Sequence, residues 1–260
     1  MKHSILIFAF VSFFLSCNKT ITETKDSVSG KTIPTGNPEK IVFPSKDGLP
    51  ITAYLYEKNP QAPTIVLCHQ ASFNKFEYDD IAPMLRDMGY NCLAIDQRSG
   101  GPISSTTNET WQEALKQGKP VEFTDAEQDI LAAVEFAAKK YTQPVILWGS
   151  SYSSTLALYM GQEQSNIKAV IAFSPGNYLE NVKGSLTDKL WDFKKPVFIT
   201  ASKFEKPDID VLTSKMVLAD KQIIFIPTGE GYHGSKALWL TQPGRDEYLS
   251  AVTKFLNSLK

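Results

Sequence analysis

Short apolar runs alternate with longer amphipathic segments from residue 39 onwards. Runs such as Thr64–Cys68 (TIVLC) are apolar throughout, which is typical of a strand buried on both faces of a parallel sheet. Asp125–Lys139 instead repeats its apolar residues at helical spacing, and Thr124 directly before it is the predicted N-cap. Strands that alternate with helices predict an α/β fold with right-handed βαβ units and a mainly parallel sheet.

The boundaries of the predicted elements follow from the same pattern. Lys40–Pro44 and Ile51–Glu57 flank Asp47-Gly48, which predicts an antiparallel hairpin ahead of the parallel strands. The further predicted strands are Thr64–Cys68, Cys92–Ile95, Val145–Trp148, Ala169–Phe173, Val197–Thr200 and Ile223–Pro227. The predicted helices are Glu77–Met88, Glu109–Gln117, Asp125–Lys139, Ser151–Met160, Asp208–Leu218 and Gly244–Leu259.

The N-terminus predicts export. Ile5–Leu15 is apolar without interruption but shorter than the ~20 residues that a membrane span needs, so it suits the core of a secretory signal. Phe14–Cys17 resembles the lipobox of bacterial lipoproteins, which implies a lipid anchor on Cys17; an ordinary secretory signal or a buried strand are the alternatives. We therefore expect a signal peptide over 1–16, the lipidated Cys17 with a flexible polar tether over 17–38, and a folded domain over 39–260. The protein would be held on a membrane of the bacterial cell envelope, facing the periplasm or the exterior.

Composition narrows the function classes. The 260 residues are enough for one domain, and a hydrophobic content of 42% allows a sizeable core. Lys and Arg number 27 against 28 Asp and Glu, so no nucleic-acid partner is expected. Besides Cys17 the chain has Cys68 and Cys92, on neighbouring parallel strands but offset along them. At ~3.3 Å per residue this offset exceeds the reach of a disulfide, and two buried free thiols are predicted.

The residues that follow each strand are the candidates for chemistry, because open α/β sheets carry their sites at the carboxyl ends of strands. Gly149–Ser153 (GSSYS) follows one predicted strand and opens a helix, the context of a nucleophile elbow. Ser151 is the candidate nucleophile, because a nucleophile at Ser150 would put Trp148 at a position that needs a small residue. The alternative is a serine that caps the helix.

Histidine is scarce, which limits the choice of a base. Of three His residues, His3 lies in the predicted signal peptide, His69 follows a strand, and His233 lies in a Gly-rich loop after the last strand. We expect His233 to be the base and His69 to orient its own loop. The backbone N–H of Tyr152 and that of Ala71, with Gln70 as the alternative, are the expected donors to a developing oxyanion.

Several of these features together resemble a single-domain α/β-hydrolase of the dienelactone-hydrolase-like branch, over roughly residues 39–259. They are His69-Gln70, the loop Asp96–Gly101 (DQRSGG), the elbow at Gly149–Ser153, Glu205 and His233-Gly234. The resemblance implies an eight-stranded sheet flanked by helices, no large cap domain, and an esterase-type mechanism in which the chain order is Ser, acid, His.

The same resemblance implies that Glu205 is the acid, where the family usually carries Asp; Asp208 and Asp210 are the rivals. The sequence departs from dienelactone hydrolases proper, which have a Cys nucleophile, and Ser153 replaces a Gly at the elbow. The specific dienelactone reaction is therefore not implied.

The expected function is hydrolysis of a carboxylic ester of a small or moderate-sized substrate through an acyl-enzyme. No metal and no cofactor are implied, and the expected partners are the ester and, through the anchor, a membrane. The oligomeric state stays open. Two alternatives remain: an envelope lipoprotein that binds a ligand or partner without catalysis, and a serine peptidase that acts on short peptides.

Overall fold

The computed structural model describes residues 37–103 and 105–260. The predicted signal peptide, Cys17 and nearly all of the predicted tether lie outside these residues. No helix within the two ranges has both the length and the apolar character that a membrane span requires.

The described residues contain one sheet of eight strands. The strands are β1 (Glu39–Pro44), β2 (Pro50–Tyr56), β3 (Thr64–Cys68), β4 (Asn91–Ile95), β5 (Val145–Ser150), β6 (Ile167–Phe173), β7 (Val197–Thr200) and β8 (Gln222–Phe225). Their order is β1-β2-β4-β3-β5-β6-β7-β8. β2 is antiparallel to both β1 and β4, and all other neighbours are parallel. The predicted eight-stranded, mainly parallel α/β sheet is confirmed.

Helices cover both faces of this sheet. They are α1 (Ala82–Asp87), α2 (Glu109–Lys116), α3 (Glu127–Tyr141), α4 (Tyr152–Glu163), α5 (Glu180–Lys183), α6 (Leu186–Leu190), α7 (Lys206–Leu212) and α8 (Arg245–Ser258). Successive strand residues face opposite cores: Val66 and Leu147 pack with α3 and α4, whereas Ile65 and Ile146 pack with α1 and α8. Burial on both faces explains why the central strands are apolar throughout.

Two predicted helices differ from the structure, one chiefly in where it begins and the other chiefly in where it ends, and each observed helix has a proline in its first turn. The segment predicted as Glu77–Met88 forms a 3₁₀ turn over Lys75–Tyr78 and then α1, with Pro83 in the first turn of α1. The segment predicted as Asp208–Leu218 is the shorter α7, with Pro207 in its first turn. The fixed φ of proline suits the start of a helix and not its interior. The short helices α5 and α6 are not among the predicted elements.

The prediction that Thr124 caps α3 is wrong. The residue before α3 is Ala126, which has no capping side chain. Thr124 instead lies in the preceding turn, where the Asp125 N–H donates to Glu122 O (3.0 Å) and the Glu127 N–H donates to Thr124 O (3.2 Å). Tight turns of this kind use the backbone groups that a cap would otherwise satisfy.

Both described cysteines are buried free thiols, as predicted. β3 and β4 run parallel, and Cys92 lies opposite Ile65 rather than opposite Cys68. Although the two strands are neighbours, the offset of the two cysteines along them keeps the thiols apart.

Candidate active site

The turn between β5 and α4 holds Ser151 in a conformation that non-glycine residues rarely adopt. Its φ is 57° and its ψ is −126°, and its N–H donates to Phe173 O on the neighbouring strand (2.8 Å). Strained backbone of this kind persists only where the surroundings enforce it, and it is concentrated at functional sites. The arrangement puts Ser151 at the carboxyl edge of the sheet, directly before the first residue of α4.

Close packing around this turn explains the small residues on either side of Ser151. A Cβ on Gly149 would lie 2.4 Å from Ser153 O and 2.4 Å from Ser154 Cα, so only glycine fits there. The Ser153 hydroxyl accepts from the Ser150 N–H (2.8 Å) and donates to Cys68 O (2.8 Å). Serine in place of the usual glycine therefore joins the end of β3 to the elbow.

Glu205 and His233 are hydrogen bonded to each other. Glu205 follows β7 in a 3₁₀ turn, His233 follows β8, and His233 Nδ1 lies 2.6 Å from Glu205 Oε1. The second carboxylate oxygen, Oε2, accepts from the N–H (2.9 Å) and the hydroxyl (2.7 Å) of Ser202. A carboxylate at Nδ1 holds the proton there and leaves Nε2 as the basic nitrogen.

The charge of Glu205 is stabilised by these partners. Burial alone would raise the pKa of its carboxyl group, but the hydrogen bonds from His233 and Ser202 outweigh burial and lower the pKa to about 2. Glu205 is therefore ionised at neutral pH and can stabilise an imidazolium. Asp208, one of the two rival acids, lies in the first turn of α7, and His233 Nδ1 is already occupied by Glu205.

The loop that carries His233 rests against the elbow. The Ser235 N–H donates to Ser150 Oγ (2.8 Å), and Gly234 has a φ of 72° with no room for a side chain, since a Cβ would lie 2.6 Å from Ser150 Oγ. No hydrogen bond joins the side chains of Ser151 and His233, both of which are described; the hydroxyl of Tyr178 interacts with that of Ser151. Hydrogen bonds between catalytic groups are often long in a free enzyme and tighten around the substrate.

Ser174, which is not among the residues predicted from the sequence, connects the acid to the histidine loop. It directly follows β6, has a φ of 54°, donates from Oγ to Glu205 Oε2 (3.0 Å) and accepts from the Gly234 N–H (2.9 Å). Its position at a strand end is the sequence signal that could have identified it.

The two backbone N–H groups that are predicted to face an oxyanion make no hydrogen bond within the described part of the protein. Among these residues, neither the Tyr152 N–H at the start of α4 nor the Ala71 N–H donates to a protein acceptor. The Gln70 N–H, the alternative donor, is instead directed at Glu77 Oε2 (2.7 Å). Of the two predicted alternatives, the Ala71 N–H is therefore the one without an acceptor in the described chain, and its role stays a prediction.

His69 organises the loop that precedes Ala71. Its Nδ1 donates to Gln70 O (2.8 Å) and its Nε2 accepts from the Gln97 N–H (2.9 Å), so both ring nitrogens are used. Burial lowers its pKa to about 4, and the ring is neutral at physiological pH. His69 has no free nitrogen with which to act as a base.

Aromatic residues and a cavity border the site. Phe123 stacks on the ring of Tyr152 with centroids 4.4 Å apart and so contacts the elbow. A cavity of ≈290 Å³ is lined by residues that include Tyr178, Glu205 and Asp208. Among the described residues no group of three or more potential metal ligands is clustered.

Comparison with solved structures identifies the fold. The chain superimposes on the Pyrococcus furiosus esterase Pf2001 with a TM-score of 0.66, at 16% identity over 85% of this chain and 92% of that one. It is similar to a Klebsiella pneumoniae protein assigned as a dienelactone hydrolase (TM-score 0.64, 15% identity, 84% and 97% covered). It is also similar to the α/β hydrolase GrgF from a Penicillium species (0.63, 13%, 85% and 98%). No protein-family model and no curated protein matches it. With the observed sheet order, these similarities show that the chain adopts the α/β-hydrolase fold.

Proposed function

We propose that the protein is a serine hydrolase that cleaves a carboxylic ester of a small or moderate-sized substrate. One observation carries the proposal: a strained serine turn lies at the same sheet edge as a hydrogen-bonded glutamate–histidine pair, whose loop rests on that turn. Ser151 is the nucleophile, His233 the general base, and Glu205 the acid that orients the imidazole. An esterase and an α/β hydrolase among the structural neighbours support the same class of reaction.

The mechanism proceeds through an acyl-enzyme. His233 Nε2 removes the proton from Ser151 Oγ as this oxygen attacks the ester carbonyl carbon, and the carbonyl oxygen becomes an oxyanion facing the amides of Tyr152 and Ala71. Collapse of this intermediate breaks the bond to the alcohol oxygen, which takes the proton from the imidazolium. A water molecule, deprotonated by the same nitrogen, then attacks the acyl carbon. The bond from this carbon to Ser151 Oγ breaks, Oγ takes the proton back from the imidazolium, and the acid is released.

The site favours a small acyl or alcohol group. The cavity of ≈290 Å³ beside Tyr178 and Glu205 is near the lower end of the volumes that drug-sized ligands occupy. The segment between β6 and β7 contributes only the short helices α5 and α6. Both features support a substrate shorter than a long-chain triglyceride.

A fluorophosphonate probe tests the nucleophile, because it reacts covalently with an activated serine. The wild-type protein should be labelled, Ser151→Ala should not, and the matched neighbour Ser150→Ala should still be labelled. A wild-type protein that takes up no label would exclude a serine hydrolase and leave the ligand-binding alternative. Rates on a panel of p-nitrophenyl esters, amides and dipeptides then separate an esterase from a peptidase.

Membrane attachment through Cys17 is a second part of the proposal, and it is supported by the sequence alone. Cells that express the full chain with labelled palmitate should incorporate label in the wild type and not in Cys17→Ala, and the variant should leave the membrane fraction. A wild-type protein that is found without lipid in the soluble fraction contradicts the anchor.

A further inference from the structure

A fully buried carboxylate, Glu77, lies beneath the candidate site and has no role in the mechanism above. It accepts three hydrogen bonds: from the Gln70 N–H to Oε2 (2.7 Å), from Gln70 Nε2 to Oε1 (3.0 Å), and from the Ser150 hydroxyl to Oε1 (2.7 Å). Burying an ionisable group costs free energy unless partners of this kind compensate. All three donors belong to the two segments that flank the nucleophile.

Glu77 differs from the other buried acids near the site. Asp96 is paired with Lys75 and Asp129 with Arg98, as expected for carboxylates held in place by an ion pair. The described ion pairs of the chain do not include Glu77. Its partners are polar groups of functional loops, so its removal would affect those loops directly.

The hydrogen bonds of Glu77 continue to the histidine loop. Ser150 donates to Glu77 and accepts from the Ser235 N–H (2.8 Å) through the same oxygen. The connected groups therefore run from Gln70, which precedes the Ala71 donor, beneath the elbow to the residue that follows Gly234. Trp239 Nε1 donates to Glu77 O (2.7 Å) and fixes the backbone of the 3₁₀ turn itself.

The electrostatic environment agrees with a role at the site. Burial raises the pKa of Glu77, while its hydrogen bonds and the nearby His233 act in the opposite direction. The other titratable groups that face it, Cys68, Tyr78 and Tyr152, are buried and have pKa values raised well above their usual range, so they stay neutral.

We propose that Glu77 is a positioning residue for ester hydrolysis. It holds the Ala71 donor and the His233 loop in position relative to Ser151. The inference rests on the proposed function of Ser151 and His233. Glu77 does not touch the reacting atoms; it acts through Gln70 and Ser150.

Glu77→Gln is the sharpest variant, because glutamine keeps the shape and one acceptor but places an NH₂ group where an oxygen faced a donor. The Gln70 amide and the Ser150 hydroxyl can reorient around it, so the fold has a way to adapt while the two loops shift. We expect kcat on p-nitrophenyl acetate to fall by roughly 10- to 100-fold with little change in KM, since a displacement of ~1 Å at the reacting groups costs about 10² in rate.

Asp129→Asn is the control, since it neutralises an equally buried carboxylate of α3 that is paired with Arg98 and makes no hydrogen bond to Gln70 or Ser150. It should lower the melting temperature and leave kcat unchanged. An unchanged kcat in Glu77→Gln, or an equal loss of kcat in Asp129→Asn, overturns the inference, because Glu77 would then be structural only.

Ser150→Ala keeps the test decisive if Glu77→Gln does not fold, because it removes the hydroxyl at the other end of the connection. Its kcat should fall several-fold at an unchanged KM, and a wild-type kcat overturns the inference. A wild-type protein that neither turns over the ester nor takes up fluorophosphonate overturns the proposed function itself. The failure of the two proposals is thereby distinguished.

Discussion

His69 and His233 each lie in a loop that follows a strand of the same sheet, but the two rings have different surroundings and different hydrogen-bond partners. His69, after β3, is fully buried, and both ring nitrogens are hydrogen bonded to backbone groups. The side chain of His233, after β8, is 38% exposed and uses only Nδ1, with a carboxylate as its partner. Both residues are histidines at the same sheet, so neither property tells them apart. The difference is that one ring nitrogen of His233 is available, which makes it the candidate base and His69 the structural histidine.

The comparison also shows what each loop requires from its surroundings. Burial holds His69 neutral, with a pKa of about 4, and the ring connects the β3 loop to Gln97. Glu205 remains charged beside His233 and accepts the hydrogen bond from its Nδ1. Substitutions in the two loops should therefore change different properties.

The largest expected effect is the loss of activity in His233→Gln. Without the base, kcat/KM for p-nitrophenyl acetate should fall by roughly 10⁴- to 10⁶-fold, because members of such a unit contribute together. The thermal unfolding midpoint should change little, since the side chain is partly exposed. Retention of substantial turnover would contradict the role of His233 and point to a base elsewhere.

Glu205→Gln should have the next largest effect. Glutamine fills the same space but can donate to Nδ1, which would place the ring proton on Nε2 and block the base, and kcat should fall by roughly 10²- to 10⁴-fold. The matched variant Asp208→Asn changes an acid outside this pair and should retain most activity. A larger loss in Asp208→Asn than in Glu205→Gln would exchange their roles.

The lowered pKa of Glu205 also predicts that the free energy of unfolding depends on pH. Its pKa is about 2 in the folded chain against an ordinary value of 4.5, so its contribution is fully present above pH 4.5 and is lost as the pH falls towards 2. The difference in unfolding free energy between wild type and Glu205→Gln should shrink across that window in urea titrations. A difference that stays constant from pH 5 to pH 2.5 would contradict the assignment.

His69 should also make the free energy of unfolding depend on pH, over a higher pH range than Glu205, and it should have no direct role in catalysis. Its pKa is lowered from 6.5 to about 4, so the unfolded chain binds the proton more tightly, and stability is lost as the pH falls from 6.5 towards 4. The loss attributable to this fully buried ring is about 3 kcal/mol. His69→Gln should remove that part of the pH dependence, and identical wild-type and variant profiles from urea unfolding would exclude it.

The sheet was predictable because its central strands are buried on both faces. β3 and β7 begin and end where the apolar runs do, and the parallel order follows from the alternation with helices. Helix boundaries were harder to predict, because the helical pattern begins ahead of the proline start of α1 and continues beyond the end of α7, and the turn before α3 uses backbone groups. Periodicity reports which residues face a core, and the local hydrogen bonds decide where a helix begins.

The candidate site likewise contains some residues that the sequence indicates and others that only the tertiary structure reveals. Ser151 and His233 could be selected because serine turns after strands are recognisable and histidines are scarce, and their catalytic roles stay predictions. Glu77 was not selected, because it occupies a segment with a helical pattern and only the tertiary fold directs its carboxylate beneath the elbow. Supporting residues of this kind carry no local signature, since their function depends on loops that are distant in the sequence.

The smallest expected effect belongs to Ser174, which supports the His233 loop without touching the imidazole. Ser174→Ala removes a donor to Glu205 Oε2 and the acceptor of the Gly234 N–H, while Ser202 and His233 still hold the carboxylate. The net loss of about 1 to 1.5 kcal/mol predicts a fall in kcat/KM of about tenfold.

Ser174→Gly separates the lost hydroxyl from the strained backbone, because glycine tolerates the φ of 54° that serine adopts here. Both variants should lose activity equally, and the glycine variant should be the more stable in thermal unfolding. If Ser174→Gly restored wild-type kcat/KM, strain at the end of β6 would be the feature that matters. The connection from Glu205 to the His233 loop would then have to depend on the imidazole contact alone.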